Sequence, residues 1–285
     1  MAVYYDRPCV LFDDWQVIVR QVPAFVERVF TWSKVIKEEL CPFCKRISSK
    51  TAVRVPFDVY NNKFFKTNSL RGLEMFNVEN DYPYTKQQRT WFWSKHSDNF
   101  TFEHLAALLN VIEKNPFAKT AGVQLLGSGA SIPAHFHFST SSETLPILRS
   151  LKLEDKIKLR DVELHLNNTP FVSFTLKGVQ AEEKCIELWK AFLKDNINVN
   201  IIATYRTIVV VPRKQQSSST LNRKVGISLV SGLYPCYLSQ TQLRTCNSRY
   251  EALRLMNEHW QSVTPGMLEA AIRETTFSRV AEIYD

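Results

Sequence analysis

An α+β architecture is what the sequence predicts, and three observations predict it. Strand-like and helix-like segments come in runs, without the regular β-α-β alternation that builds a parallel sheet. The order strands–helix–strands occurs twice, which suggests an internal duplication. The hydrophobic fraction of 45% over 285 residues is enough to bury a sizeable core.

Taken in order, residues 1–23 read as irregular or extended, with Pro8 and Pro23 as breakers. From Ala24 to Leu40, apolar residues recur near helical spacing, which predicts an amphipathic helix leading to Cys41. Residues 51–80 mix β-formers with Asn, and Asn80 to Tyr84 reads as a turn. Trp91-Phe92-Trp93 is a strand. Thr101 to Lys114 is a helix whose buried stripe is Leu105, Leu108, Leu109 and Ile112, with Thr101 or Asn99 as its N-cap. His104 on that helix reads as a surface or flank residue. Val123 to Leu126 is a short strand.

The polar run Thr140 to Thr144 and the Lys-, Asp- and Leu-rich stretch to Arg160 read as the junction between halves. Strands at Val162–Leu166 and Phe171–Leu176 follow, then a helix from Gln180 to Lys194. Asn198–Tyr205 and Thr207–Val211 are β-branched strands, ending at Pro212-Arg213-Lys214. A further strand at Val225–Val230 and helices at Tyr250–Trp260 and Met267–Arg273 complete the reading.

The formal net charge of +8 suits an anionic ligand such as a nucleotide or sugar phosphate. Lys and Arg are spread along the chain without a basic cluster, which argues against nucleic acid. The first fifteen residues carry acidic side chains where a secretory signal needs an apolar run, and no stretch of 18 apolar residues occurs. Six cysteines, of which only Cys41 and Cys44 lie close in sequence, fit a reducing cytoplasm and a metal site better than a disulfide frame.

Two stretches carry chemistry. Cys41-Pro42-Phe43-Cys44 is a C-x-x-C half-site, since two thiolates on a tight turn can reach one ion. The alternative is a redox dithiol, but such a motif follows a strand and opens a helix, whereas here a helix precedes it. A tetrahedral zinc site needs two more ligands from elsewhere. The second stretch runs from Gly127 to Ser139. There a small-residue turn leads into His135 and His137 alternating with Phe136 and Phe138. A strand would put both imidazoles on one face and both phenyl rings in the core.

Together these residues resemble a known family. Cys41-x-x-Cys44, Lys95-His96-Ser97 before a helix, and Gly129-Ala130-Ser131-Ile132-Pro133-Ala134-His135-Phe136-His137-Phe138 resemble the galactose-1-phosphate uridylyltransferase branch of the histidine-triad superfamily. That branch includes the diadenosine-tetraphosphate and GDP-hexose phosphorylases. The match spans about Cys41 to Ser139; beyond residue 160 the likeness is only architectural. It implies two histidine-triad-like halves, residues 1–150 with the metal site and catalytic strand and 151–285 completing the substrate site, each a mostly antiparallel sheet with helices. It also implies a structural zinc on Cys41, Cys44, His96 and His135, and His137 as a nucleophile forming a covalent nucleotidyl-histidine. Asn80-Asp81 would lie near the ribose, and the turn Gly127, Ser128, Gly129, Ser131 near the phosphates.

Where the transferases and phosphorylases carry Gln two residues after the nucleophile, and the hydrolytic branch His, this chain has Ser139. A hydroxyl donates one hydrogen bond over a shorter reach. Ser139 joins Arg213 and Lys214 as a candidate for stabilising phosphoryl charge, although the two cations also read as solvated charges at a strand end. Nucleotide transfer or phosphorolysis is therefore the expectation. The alternatives are a hydrolase of the same fold, a weakened nucleotide-binding protein, or a catalytic zinc on His96, His135 and His137.

Overall fold

Residues 5–11, 15–21, 41–57, 73–80, 83–125, 132, 134–149, 153–159, 162–167, 173–178, 180–194, 197–214 and 231–236 are described in a computed structural model of the chain. The predicted helix at 24–40, the strand at 225–230 and the helices beyond residue 250 lie outside the described residues.

The elements run β1 (Tyr5–Leu11), β2 (Trp15–Gln21), α1 (Pro42–Ser48), β3 (Val53–Phe57), β4 (Leu73–Glu79), β5 (Arg89–Trp93), α2 (Phe102–Lys114), β6 (Thr120–Gln124) and β7 (His137–Ser141). They continue with α3 (Pro146–Arg149), β8 (Leu153–Leu159), β9 (Val162–Asn167), β10 (Phe174–Gly178), α4 (Ala181–Lys194), β11 (Ile197–Thr204), β12 (Thr207–Lys214) and β13 (Leu233–Cys236). Ten strands form one sheet in the order β3-β4-β5-β7-β6-β11-β12-β10-β9-β8, every pairing antiparallel. This bears out the α+β class. From each edge inward the order is the same: first, second, third, fifth, fourth strand of the group, with a helix between the third and fourth. The two groups meet where β6 pairs β11.

The sheet has two differently used faces. On one, α2 and α4 lie over a core built from Leu105, Leu108, Phe138, Phe174, Phe192 and Ile201, all at most 1% exposed. The predicted stripe of α2 is buried, and the cap falls on Thr101. On the other face a smaller cluster of Cys41, Phe43, Val78 and Phe92 packs around α1.

Three differences from the sequence reading have physical causes. Residues 5–21 form a hairpin, β1 with β2, to which β13 adds a parallel strand. The hairpin is tied to the main sheet by Arg20, which is 2% exposed. Its guanidinium donates to both oxygens of Asp6 at 2.7 Å, to Glu143 at 2.7 Å and to the Tyr84 carbonyl at 3.1 Å. Burial alone would lower the Arg20 pKa, but the two carboxylates outweigh it and raise it. The stretch expected to join the halves contains α3 and the edge strand β8, whose sequence LEDKIKL is rich in charge, as suits a sheet edge. Finally, β12 runs through Pro212 to Lys214, with Val199 opposite Pro212 in an unbroken register.

Candidate active site and metal cluster

Cys41 is the N-cap of α1, with Pro42 opening the helix, so its thiol and that of Cys44 sit on one tight turn. His96 follows β5, and His135 comes just before β7. The backbone thereby brings together four residues from three distant stretches. Their ligand atoms all lie within 4.8 Å of one another. Cys41 Sγ is 3.5 Å from His135 Nδ1, and Cys44 Sγ is 3.3 Å from His96 Nδ1 and 3.6 Å from His135 Nδ1. A tetrahedron with metal–sulfur bonds of about 2.3 Å and metal–nitrogen bonds of about 2.0–2.1 Å has S···N edges of about 3.5 Å. The set therefore fits a metal of zinc's size and ligand preference. C-x-x-C opens α1, as a redox motif would, but the His96 and His135 nitrogens beside both free thiols favour the metal reading over the redox one.

The tautomer of His135 supports the same use. Its Nε2–H donates to the Trp93 carbonyl at 2.7 Å, which puts the lone pair on Nδ1, the atom facing both sulfurs. His135 is not part of the strand, as alternation alone had suggested. It lies in the bend before β7, and the strand begins at His137. The predicted sidedness nonetheless holds. Both imidazoles touch the Phe43 ring, at 5.3 and 5.0 Å, while Phe136 and Phe138 enter the opposite core.

His137 is half-buried, and its Nδ1–H donates to the His135 carbonyl at 2.8 Å. In the neutral ring the lone pair then lies on Nε2. Ser139, two residues on, shares the His137 face and stands opposite Thr90 on β5 and Gly122 on β6. Asn80 joins this row, its amide donating to the Thr90 hydroxyl at 3.0 Å. Asp81, Gly127, Ser128, Gly129 and Ser131 lie outside the described residues. Arg213 and Lys214 are placed by their backbone only. On β12 they are three strands from β7, about 14 Å at ordinary strand spacing.

Sequence reasoning missed two participants. Trp93 supplies the carbonyl that orients His135. His104 is 1% exposed, not a surface residue, and it caps α2 by accepting the Thr101 N–H on Nδ1 at 3.2 Å. Burial pushes its pKa down to about 4, against a small upward pull from Glu103. The Thr101-x-x-His104 spacing of a capping box was a signal, but His stands where Glu or Gln is usual. Cys185, on the buried face of α4, packs in the core, and burial pushes its thiol far up, which leaves it a packing residue.

Cavity size does not locate the chemistry. A cleft of about 750 Å³ is lined by Asn80, Lys86, Arg89 and Phe117 among others and touches the His137 row only through Asn80. Ser139 borders a cavity of about 20 Å³, room for a single water. The donor set and the tautomers are the better guide.

No protein-family model and no curated protein matches the sequence. Solved structures do match. Yeast Ap4A phosphorylase Apa2 in complex with Ap4A aligns over 96% of this chain and 90% of its own, with a TM-score of 0.58 at 13% identity. The same enzyme in complex with AMP aligns over 93% and 90%, with a TM-score of 0.55 at 14% identity. The chain shares this fold. At these identities the likeness is one of fold alone. Among the described residues no helix is long and apolar enough to cross a membrane.

Proposed function

We propose that the chain is a nucleotidyltransferase or phosphorylase acting on a nucleoside diphospho-compound through a covalent nucleotidyl-histidine at His137. The observation that carries this reading is the His137 Nδ1–H bond to the His135 carbonyl, which leaves the Nε2 lone pair to act as nucleophile. The likeness to a fold whose yeast example binds AMP and Ap4A supports the substrate class.

In the first step Nε2 attacks the α-phosphorus. An N–P bond forms, the P–O bond to the departing phosphate or sugar phosphate breaks, and the leaving oxygen takes the electron pair. The imidazole becomes cationic, and the His135 carbonyl accepts the Nδ1–H of that cation. In the second step an oxygen of phosphate or of a sugar phosphate attacks the same phosphorus, and the N–P pair returns to Nε2. Ser139 and the Gly127–Ser131 backbone are the proposed donors to the phosphoryl oxygens, with Arg213 and Lys214 as more distant cations. Asn80 and Asp81 are proposed at the ribose.

Cys41, Cys44, His96 and His135 would hold a structural zinc. Bound there, the ion ties the turn at Cys41 to the segment before β7 and fixes the carbonyl on which His137 depends. The repeated strand order supports two halves of like design, residues 1–150 and 151–285. The two thiols suit a reducing compartment such as the cytoplasm. Ser139 favours a second reading, in which water is the acceptor or transfer is weakened, because its hydroxyl reaches less far than a Gln amide.

Intact mass spectrometry after incubation with dinucleoside polyphosphates and nucleoside diphosphate sugars tests the proposal. The expected result is a nucleotidyl mass increment that His137→Ala abolishes while metal content and melting temperature persist. Full turnover by His137→Ala would refute the covalent route.

A further inference from the structure

The geometry points to His104 as a positioning residue for His135 and His137, acting from the opposite face of the sheet. The inference rests on the reading of His137 as nucleophile. The His104 ring meets the Trp93 ring edge-on at 4.5 Å and the Phe136 ring at 4.3 Å. Both neighbours hold the site through their backbones. The Trp93 carbonyl accepts the His135 Nε2–H, and the Trp93 N–H donates to the Phe136 carbonyl at 3.1 Å. Phe136 is the peptide between the two site histidines, and its own N–H donates to the Ser97 carbonyl at 2.6 Å. His104 thus touches both side chains that flank the cross-link between β5 and the His135–His137 segment.

Helix capping accounts for only half of this residue. The cap needs an acceptor at the third helical position, and Gln or Glu supplies one without a ring. Plain core packing accounts for even less. With Nδ1 accepting from Thr101, the proton is on Nε2, and that atom is buried without a hydrogen-bond partner. A Leu or Phe would fill the space without stranding a donor. What the imidazole alone offers is an acceptor for the cap joined rigidly to a flat ring between Trp93 and Phe136. It anchors those two side chains to the first turn of α2. A shift of either ring moves the Trp93 carbonyl or the His135 carbonyl, and displacements of about 1 Å at a nucleophile are costly in rate.

Two variants of the full chain separate the roles. His104→Gln keeps the cap and loses the ring; His104→Phe keeps the ring and loses the cap. The readouts are melting temperature, bound metal per chain, kcat and KM with a dinucleoside polyphosphate, and the ring tautomers of His135 and His137 from long-range proton–nitrogen NMR. For His104→Gln the expected result is a nearly unchanged melting temperature, kcat lowered at least tenfold, KM within threefold, and a mixed His137 tautomer in place of Nδ1–H. His104→Phe keeps the ring but cuts its link to Thr101, so it should melt lower and lose part of kcat, less than His104→Gln does. If His104→Gln keeps the parent's kcat and tautomers, the positioning role is overturned. If His104→Phe does not fold, the His104→Gln tautomers decide alone. Should the parent itself show neither adduct nor turnover, the proposed function fails. The tautomer comparison still tests the positioning of His135 and His137 in that case.

Discussion

Lowering the pH should destabilise this protein through His104, by an amount that can be worked out in advance. In the folded chain the ring is 1% exposed, and its pKa is lowered from 6.5 to about 4 by burial, with the Glu103 charge pulling weakly the other way. Below pH 6.5 the unfolded chain takes up a proton that the folded chain refuses until about pH 4. Stability is therefore fully present above pH 6.5 and falls as the pH drops through this window. It levels off once the folded ring also protonates. The gap of about 2.5 pH units corresponds to about 3 kcal/mol, at a limiting slope of about 1.4 kcal/mol per pH unit. Protonation would also remove the Nδ1 acceptor that caps α2.

The assay is urea unfolding of parent and His104→Gln at pH 7, 6, 5 and 4.5 with metal held constant. Bound metal per chain, measured at each pH, shows whether the cluster stays the same in the two proteins. The variant should gain on the parent as the pH falls, by about 2–3 kcal/mol at pH 4.5. Parallel losses in the two proteins would refute the assignment of this acid sensitivity to His104.

Cys41→Ser and Cys44→Ser should each abolish bound zinc, measured by elemental analysis, and lower the melting temperature. A metal-free variant as stable as the parent would dismiss the structural role. Arg20→Ala strips the buried cation from Asp6 and Glu143 and should cost about 3–5 kcal/mol in chemical denaturation; Arg20→Lys should lose less, because only the planar fork meets both Asp6 oxygens. Ser139→Gln should raise nucleotidyl transfer in a turnover assay if the hydroxyl is a shortened Gln. A fall on the true substrate would instead mean that the space beside Thr90 and Gly122 is adapted to its acceptor.

Much of the site was legible because its signals are local. C-x-x-C places two thiols on one turn, and the His-Phe alternation assigns each ring a side of the sheet. Periodicity also found α2, α4 and the central strands, whose apolar faces are buried as expected. What stayed hidden depends on partners far away in sequence. Nothing in residues 5–21 announces that Arg20 is buried against Glu143, 123 positions on, or that β13 completes their sheet. A strand through His135 was the natural extrapolation from alternation. Its Nε2–H bond to Trp93 and its approach to two thiols hold it in a bend instead. His104 misled for a related reason. Spacing placed it beside a buried stripe, but only the rings of Trp93 and Phe136 reveal that it is enclosed.

The two groups of strands share an order but not a chemistry, and the difference argues for one site per chain. On the two-half reading, β12 is the counterpart of β7, each the fifth strand of its group and next to the strand at the central seam. β7 opens on His137, whereas β12 reads Thr-Ile-Val-Val-Val-Pro-Arg-Lys, with no imidazole to act as nucleophile and no thiol to hold a metal. Residues 151–285 contain neither a C-x-x-C nor an H-x-H. A half that lacks both motifs can still extend the sheet across β6 and β11. Its cations at Arg213 and Lys214 then lie on the sheet that carries His137. On the proposed function, that division of labour would free β12 of the tautomer and metal constraints placed on β7. It would let the second half diverge with the acceptor while the first keeps the nucleophile in place.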